Sequence, residues 1–545
     1  MTAALSGEPE TRPRGRIARF DDWCERVGDR LNPIVVKETR QALKSRQFLV
    51  TFSLLLVAAL GWTVIGSLSM MPQIYTSPSA PAMLIGYYVL LAVPMLLVVP
   101  LAAYRSLESE IDDGTLELLA ITALRPRQIV LGKLAGAMLQ MLLYFVTLFP
   151  CVAYAYTLRG VDLPTTVLTV GILAVAAVVM TIYSLFFAPL ARTRGARIGT
   201  LLGVLFPLLT VEYLVGGLVV AMITRGNPLS AEVTSFLVVF VLVHAGAIGH
   251  LLLTATAAQL TPESENRSTA LRLSLLGLTA VSVATMAYGL AAFPEQGAVL
   301  FVVNLSVISG LWILCGSLFA AESPAITPRI RRELPRSFAA RMLLTFLTPG
   351  PSTGLVFGWV GIISVAILSL VAIEYVVGSP GMPPYVVRSL ETLRPAVLLA
   401  ACYCVVMLAG VRWVVAIVRL GRRPPRIEVG FAAAAAIAVL AALVPYSMGL
   451  HYNDYRAYPY SAWQATNWAW TLSEAIEGNL PTWQIVATGI IAAVVLLAHV
   501  IGLGAVTLPR RTATPWRVQQ ERRRMAAAGD RVTAAEAVPE SQGIG

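Results

Sequence analysis

The chain has 545 residues, 57% of them hydrophobic and only 13% charged, with a formal net charge of +11 and a mean hydropathy of +0.72. Soluble globular chains carry about 25% charged residues. No soluble core hides this much apolar surface, whereas a bilayer accepts it, so soluble classes, nucleic-acid binders among them, are excluded. Cys24, Cys151, Cys315, Cys402 and Cys404 lack metal-ligand spacing, and four of them lie in apolar runs, which argues against a zinc site or a disulfide framework.

The first 47 residues are basic and polar, too long and too charged for a cleavable signal peptide, so the first apolar span is expected to be retained. Within them Ile17, Phe20, Trp23, Cys24, Val27 and Leu31 recur at helical spacing with arginines between. That pattern predicts a helix lying on the inner membrane surface; the plainer alternative is a basic tail. Asn32-Pro33 ends it, and Pro33 suits the first position of a second helix, NPIVVKETRQALKSRQF, which runs into the first span.

Crossing the hydrocarbon takes about 20 apolar residues as a helix. Such runs lie near 48–68, 83–104, 130–157, 163–190, 198–222 and 235–258, then near 271–292, 297–320, 355–377, 394–418, 428–450 and 483–508. The prediction is an all-α, polytopic membrane protein of about twelve transmembrane helices. Its parts are an interfacial segment (1–47), a six-helix core (48–260), a further six-helix half (261–508) and a tail (509–545) expected to be disordered at its end. Alternate loops carry 35 Lys and Arg on one side and 5 on the other. The positive-inside rule makes the rich side cytoplasmic and puts both termini there, as expected of a multi-pass protein of the inner (cytoplasmic) membrane.

The richest stretch lies between the second and third spans, RSLESEIDDGTLELLAITALRPRQIVLGKLAG, 105–136. Glu108, Glu110, Asp112 and Asp113 lead into Gly114-Thr115. A short helix-like run carrying Glu117 follows, then the turn Arg125-Pro126-Arg127, with Lys133 one turn inside the next span. Asp112 or Asp113 suits the N-terminus of a short amphipathic helix there. A rigid, exposed element of this kind is built to dock in another protein's groove; the alternative is an ordinary solvated loop.

This stretch resembles the signature of ABC-2 type permeases, the membrane subunits of one class of ATP-binding-cassette exporters. The matching residues are Glu108, Asp112, Gly114, Thr115, Leu116, Glu117, Leu118, Leu119, Pro126, Gly132 and Lys133, whereas Glu110 has no counterpart in the pattern. The lead-in also resembles the family's N-terminal element at Asn32, Pro33, Lys37, Glu38, Arg40 and Arg46. The resemblance covers 30–140 and extends to about 260 by topology. It implies a coupling helix near 112–128 that docks on a separate cytoplasmic ATPase, with Asp113 and Arg125 beside it. It further implies a homo- or heterodimeric permease in contact with membrane lipids, and export as the direction. No Gly-x-x-x-x-Gly-Lys-Ser/Thr loop occurs, so the chain is expected to hold no cofactor, to be no enzyme and to leave ATP to the partner subunit. The second half lacks a second signature and is either a degenerate copy or an added domain.

Two other readings stay open. An ion-coupled secondary transporter needs ionisable groups within the membrane, for which Glu212, His244, Glu374, Arg412 and His499 are the candidates; Glu212 is expected beside a helix break between Pro207 and Gly216-Gly217. A lipid- or glycosyl-phosphate transferase would use the Glu108–Asp113 acids to hold a divalent metal, but a second cytoplasmic acidic cluster is lacking. In 321–354, Ile330, Leu334, Phe338, Met342 and Phe346 recur every four residues, predicting a surface helix that is a second ATPase contact or a membrane-lying linker. The outer segment 451–482 holds Tyr452, Tyr455, Tyr458, Tyr460, Trp463, Trp468 and Trp470, suited to stacking on sugars or to interfacial anchoring.

The charge skew gives a direct test. Single cysteines at positions 75, 230, 385 and 465 should react with an impermeant maleimide on intact cells, and those at 113, 195, 335 and 423 only after permeabilisation. An externally reactive position 113 would invert the topology.

Overall fold

A computed structural model describes residues 33–72, 74, 76–114, 125–191, 194–226, 229–262, 265–323, 327–333, 337, 339, 344–380, 382–421, 427–503, 515–521 and 523–524. Among the described residues, 86% are helical and none forms a strand. Twelve helices there are long and apolar enough to cross a membrane. The expected interfacial helix over 17–31 lies outside the described residues, as do Leu334, Phe338 and Met342 and the end of the tail.

The chain divides into two compact units, Met1–Thr261 and Pro262–Gly545. The first contains a short helix α1 (Pro33–Lys44) and six spans. These are α2 (Arg46–Ser69), α3 (Ala80–Asp112), α4 (Pro126–Thr157), α5 (Leu163–Phe187), α6 (Arg194–Arg225) and α7 (Ala231–Leu260). Ser45 separates α1 from α2 in extended backbone and accepts from the Phe48 N–H, so the second helix starts on a side-chain cap. The second unit holds α8 (Thr269–Ala292), α9 (Pro294–Ala320), the short α10 (Pro328–Glu333), α11 (Pro351–Val377), α12 (Pro384–Val418) and α13 (Glu428–Tyr452). A short α14 (Trp468–Glu477) and the span α15 (Thr482–Leu503) complete it.

Taken span by span, the units repeat one packing pattern. In each, the second span packs on the first, third, fourth and fifth, the first also meets the third, and the fourth meets the third, fifth and sixth. The third and sixth spans touch in both: α4 packs on α7, and Trp359 of α11 meets the His499 ring of α15 at 5.6 Å.

Two helices outrun their apolar segments. The α3 helix ends at Asp112 rather than near 104, and α12 begins at Pro384 rather than near 394. At 1.5 Å per residue, the 33 residues of α3 reach about 50 Å, against about 30 Å of hydrocarbon, so its charged end stands clear of the lipid chains. Hydropathy reports where the lipid stops, not where the helix does. In α12, Arg394 at the edge of the apolar run is paired as well, its Nε lying 3.1 Å from Glu374 of α11. The expected break around Glu212 is absent: α6 runs unbroken through Pro207 and both glycines.

The α3 helix is interrupted internally. Val93–Val98 forms a π turn in which Val99 N–H bonds to Pro94 O. Pro94 and Pro100 each remove a donor from the ladder, and a π turn is one way for a helix to absorb that loss. Between α13 and α15, a 3₁₀ turn (Ala462–Thr466) and α14 fold the aromatic segment onto α13. The Trp470 ring lies 6.0, 5.2 and 5.7 Å from Tyr446, Tyr458 and Tyr460, and Gln464 donates to Pro445 O at 2.9 Å. These rings pack mainly on one another, while Tyr452 and Tyr455 face outward.

Candidate functional site

The charged ends of α1, α3 and α4 meet in one cluster, and helical periodicity explains how. Along α3, Ser106 and Glu110 are four residues apart and share a face; Glu108 and Asp112 form a second such pair, two positions on and so roughly opposite. The first face turns to α4, the second to α6. A run of acids that reads as one cluster in sequence is thus split between two sets of cations.

At the first face, the Lys133 ammonium lies 3.1 Å from Glu38 and 3.1 Å from Glu110 and donates to Ser106 Oγ at 2.9 Å. The lysine side chain is 1% exposed. Lys37 closes the cluster from outside, 3.0 Å from Glu110. The Glu110 hydrogen bond, assisted by its charge and that of Glu38, holds the Lys37 ammonium above its ordinary pKa, so it stays charged at neutral pH. Glu38 reaches Lys133 because α1 packs closely on α4 through two glycines: a Cβ on Gly132 would meet Ile34 at 2.5 Å, and one on Gly136 would meet Glu38 at 3.1 Å.

At the second face, Arg197 of α6 bridges Glu108 at 3.3 Å and Asp112 at 2.5 Å. Asp113 caps the C-terminus of α3, its N–H bonded to Ser109 O at 2.9 Å. Gly114 follows at φ +67°, a left-handed conformation that glycine adopts without strain. On the other side of the connection, Pro126 opens α4, and the Arg125 N–H donates to the Gln128 side chain at 2.8 Å. Asp112 and Pro126 therefore belong to the spanning helices, and an element between them is confined to 113–125 rather than 112–128. Thr115 and Glu117 lie outside the described residues.

The sequence-derived set is thus partly brought together. Lys37, Glu38 and Lys133 converge, Glu108 and Asp112 share Arg197, and Asp113, Gly114, Arg125 and Pro126 shape the ends of the connection. Arg40 and Arg46 are exposed and stand apart from the cluster. Glu110, set aside because it lacks a counterpart in the family pattern, lies at the centre. Its position four residues after Ser106 on a helix was the available signal. Among the described residues, no three His, Cys, Asp or Glu side chains converge as metal ligands.

The second unit has its own charged clasp, which the sequence did not reveal. Arg272, fully buried in α8, reaches Glu322 just past α9 at 2.9 Å and donates to Phe346 O and Thr348 O at 2.6 and 2.7 Å. Glu322 also accepts from the Gly350 N–H at 2.7 Å, beside the start of α11. The guanidinium lies over the Phe319 and Phe357 rings, and Arg419 donates to Ala321 O at 2.9 Å. In the second unit the ends of the first, second and third spans are thereby tied, whereas the clasp of the first unit ties α1 to its second and third spans. An arginine in the first turn of an apolar run was the cue available in the sequence.

The residues put forward for ion coupling are divided between the two units. Glu212 and His244 lie in the first unit, Glu374, Arg412 and His499 in the second. His244 and His499 each bond the carbonyl four residues back, and Glu374 pairs with Arg394.

No protein-family model, curated protein or solved structure matches the chain.

Removing one partner of a buried charge cluster strands the others and typically costs about 3–5 kcal/mol, whereas an exposed pair is worth about 0–1 kcal/mol. Lys133→Met and Arg272→Met should each lower the detergent-solubilised melting temperature clearly, whereas Arg197→Gln should change it little. Equal melting of Lys133→Met and the parent protein would show that the clasp does not hold the three helices.

Proposed function

We propose that this protein is the membrane subunit of an ATP-driven exporter of the ABC-2 type, receiving mechanical work from a separate ATPase at the connection between α3 and α4. The observation that supports this reading most is the clasp around Lys133. It joins α1, α3 and α4 on the side of the membrane that the charge distribution marks as cytoplasmic, flanking the 114–124 segment that resembles a coupling helix. A force on that segment would reach three helices together rather than bending one loop. ATP binds and is hydrolysed in the partner, and the two six-helix units supply the translocation path. Their shared packing pattern favours reading the second unit as a diverged copy rather than an added domain. Cytoplasmic-membrane localisation and outward direction belong to the same reading.

Glu117→Arg is the decisive variant. An exposed substitution changes stability by less than about 0.5 kcal/mol, whereas breaking a charge-paired contact at a buried interface costs about 2–5 kcal/mol of binding. Expression and melting of the permease should stay unchanged, while co-purification of the ATPase weakens or transport-coupled hydrolysis is lost. Full partner binding and full transport in Glu117→Arg would overturn the reading, as would ATP turnover intrinsic to the isolated chain.

A further inference from the structure

We infer that the outer face of α1 is a binding site for the headgroup of an anionic phospholipid. The helix divides its faces. Ile34 and Glu38 turn to α4 and are buried there. Lys37, Arg40 and Lys44 recur at intervals of three and four on another face, where with Val36 and Gln41 they line a shallow depression. Arg46 follows at the start of α2.

These cations are differently committed. Lys37 is paired with Glu110, yet its side chain remains 56% exposed. Arg40, Lys44 and Arg46 are exposed, and among the described residues none makes an ion pair or a side-chain hydrogen bond. Among the described residues, these three cations within seven positions are unpaired, which leaves a local positive field.

Depth decides the chemistry of the occupant. The 24 residues of α2 span about 36 Å, slightly more than about 30 Å of hydrocarbon. Arg46 and α1 before it are thereby set at the headgroup level. Immediately below, Leu49, Val50, Leu54 and Val57 are each at least 60% exposed, a surface for acyl chains. Cations above and apolar side chains below match a phosphate-bearing headgroup with its chains attached. A soluble acidic protein would satisfy only the upper half. Each Lys or Arg near an anionic surface contributes about 1 kcal/mol, or about five-fold in binding. Because Lys37 contacts both this face and Glu110, a bound headgroup would also compete for one arm of the clasp.

The full chain, without any ATPase, is reconstituted in vesicles holding equal trace amounts of photoactivatable phosphatidylglycerol and phosphatidylcholine in a phosphatidylcholine background. After irradiation, the peptides covering 33–46 are quantified by mass spectrometry. Phosphatidylglycerol should label them at least about five-fold more than phosphatidylcholine, with the excess shrinking as salt is raised. Arg40→Glu with Lys44→Glu should abolish the excess while melting stays unchanged, since neither residue belongs to the clasp. If that pair of changes lowers melting, Arg40→Gln with Lys44→Gln takes its place and should still reduce the excess. Equal labelling by the two lipids overturns the inference, as does an excess that survives charge reversal in a protein of unchanged melting. Displacement of phosphatidylglycerol by tens of millimolar inorganic phosphate at constant ionic strength would assign the face to a free phosphate instead. Failure of the ATPase reading would leave this result untouched, because no ATPase is present.

Discussion

The ammonium of Lys133, enclosed by protein, sits between two carboxylates drawn from different helices. Without them the buried ammonium would be left with no opposite charge, and without the lysine Glu38 would lose its ion pair while Glu110 would keep only Lys37. Helix α1 is held on α4 by Glu38, and the polar end of α3 is held there by Glu110. Close packing allows this: a Cβ at Gly132 would force Ile34 to shift, and one at Gly136 would crowd the Glu38 side chain that reaches the ammonium. The electrostatic contact and the glycine seam are therefore mutually dependent.

The second unit meets the same requirement with different chemistry. Arginine replaces lysine, and backbone carbonyls take the place of a second carboxylate. The guanidinium's several donors allow one buried group to bind a carboxylate and two carbonyls at once, which the compact lysine ammonium would do less well in that geometry. What the units share is a charged tie between the ends of their second and third spans, and which spans touch. Sequence comparison within the chain is blind to this because the residues differ in type, order and supplying helix.

Most of the architecture was legible in the sequence because a lipid-facing helix is apolar wherever it meets lipid, so twelve runs stood out. Legibility ended where helices left the hydrocarbon. Glu108, Glu110 and Asp112 looked like a loop because they are charged, yet they continue α3 as a helix whose charges are neutralised by Lys133, Lys37 and Arg197. At the candidate site, Glu38 and Lys133 were singled out through resemblance, but their contact joins residues 95 positions apart. Arg272 and Glu322, 50 positions apart, carried no motif at all. Pairings at such distances depend on tertiary packing, which propensity and periodicity do not encode.

The π turn at Val93–Val98 has a consequence for the length of the chain. A π turn amounts to one residue inserted into an α-helix, and each residue of an α-helix turns the helix by about 100°. Everything beyond it in α3, including Ser106, Glu110, Glu108 and Asp112, takes its azimuth from that single extra residue. A one-residue deletion in 93–98 that restored a regular helix would leave every side chain of the charged end chemically intact. It would nevertheless rotate Glu110 away from Lys133 and Asp112 away from Arg197. Family members differing here by one residue would therefore need compensating changes in the faces of α4 and α6, so the insertion and both cation positions should be inherited as one unit.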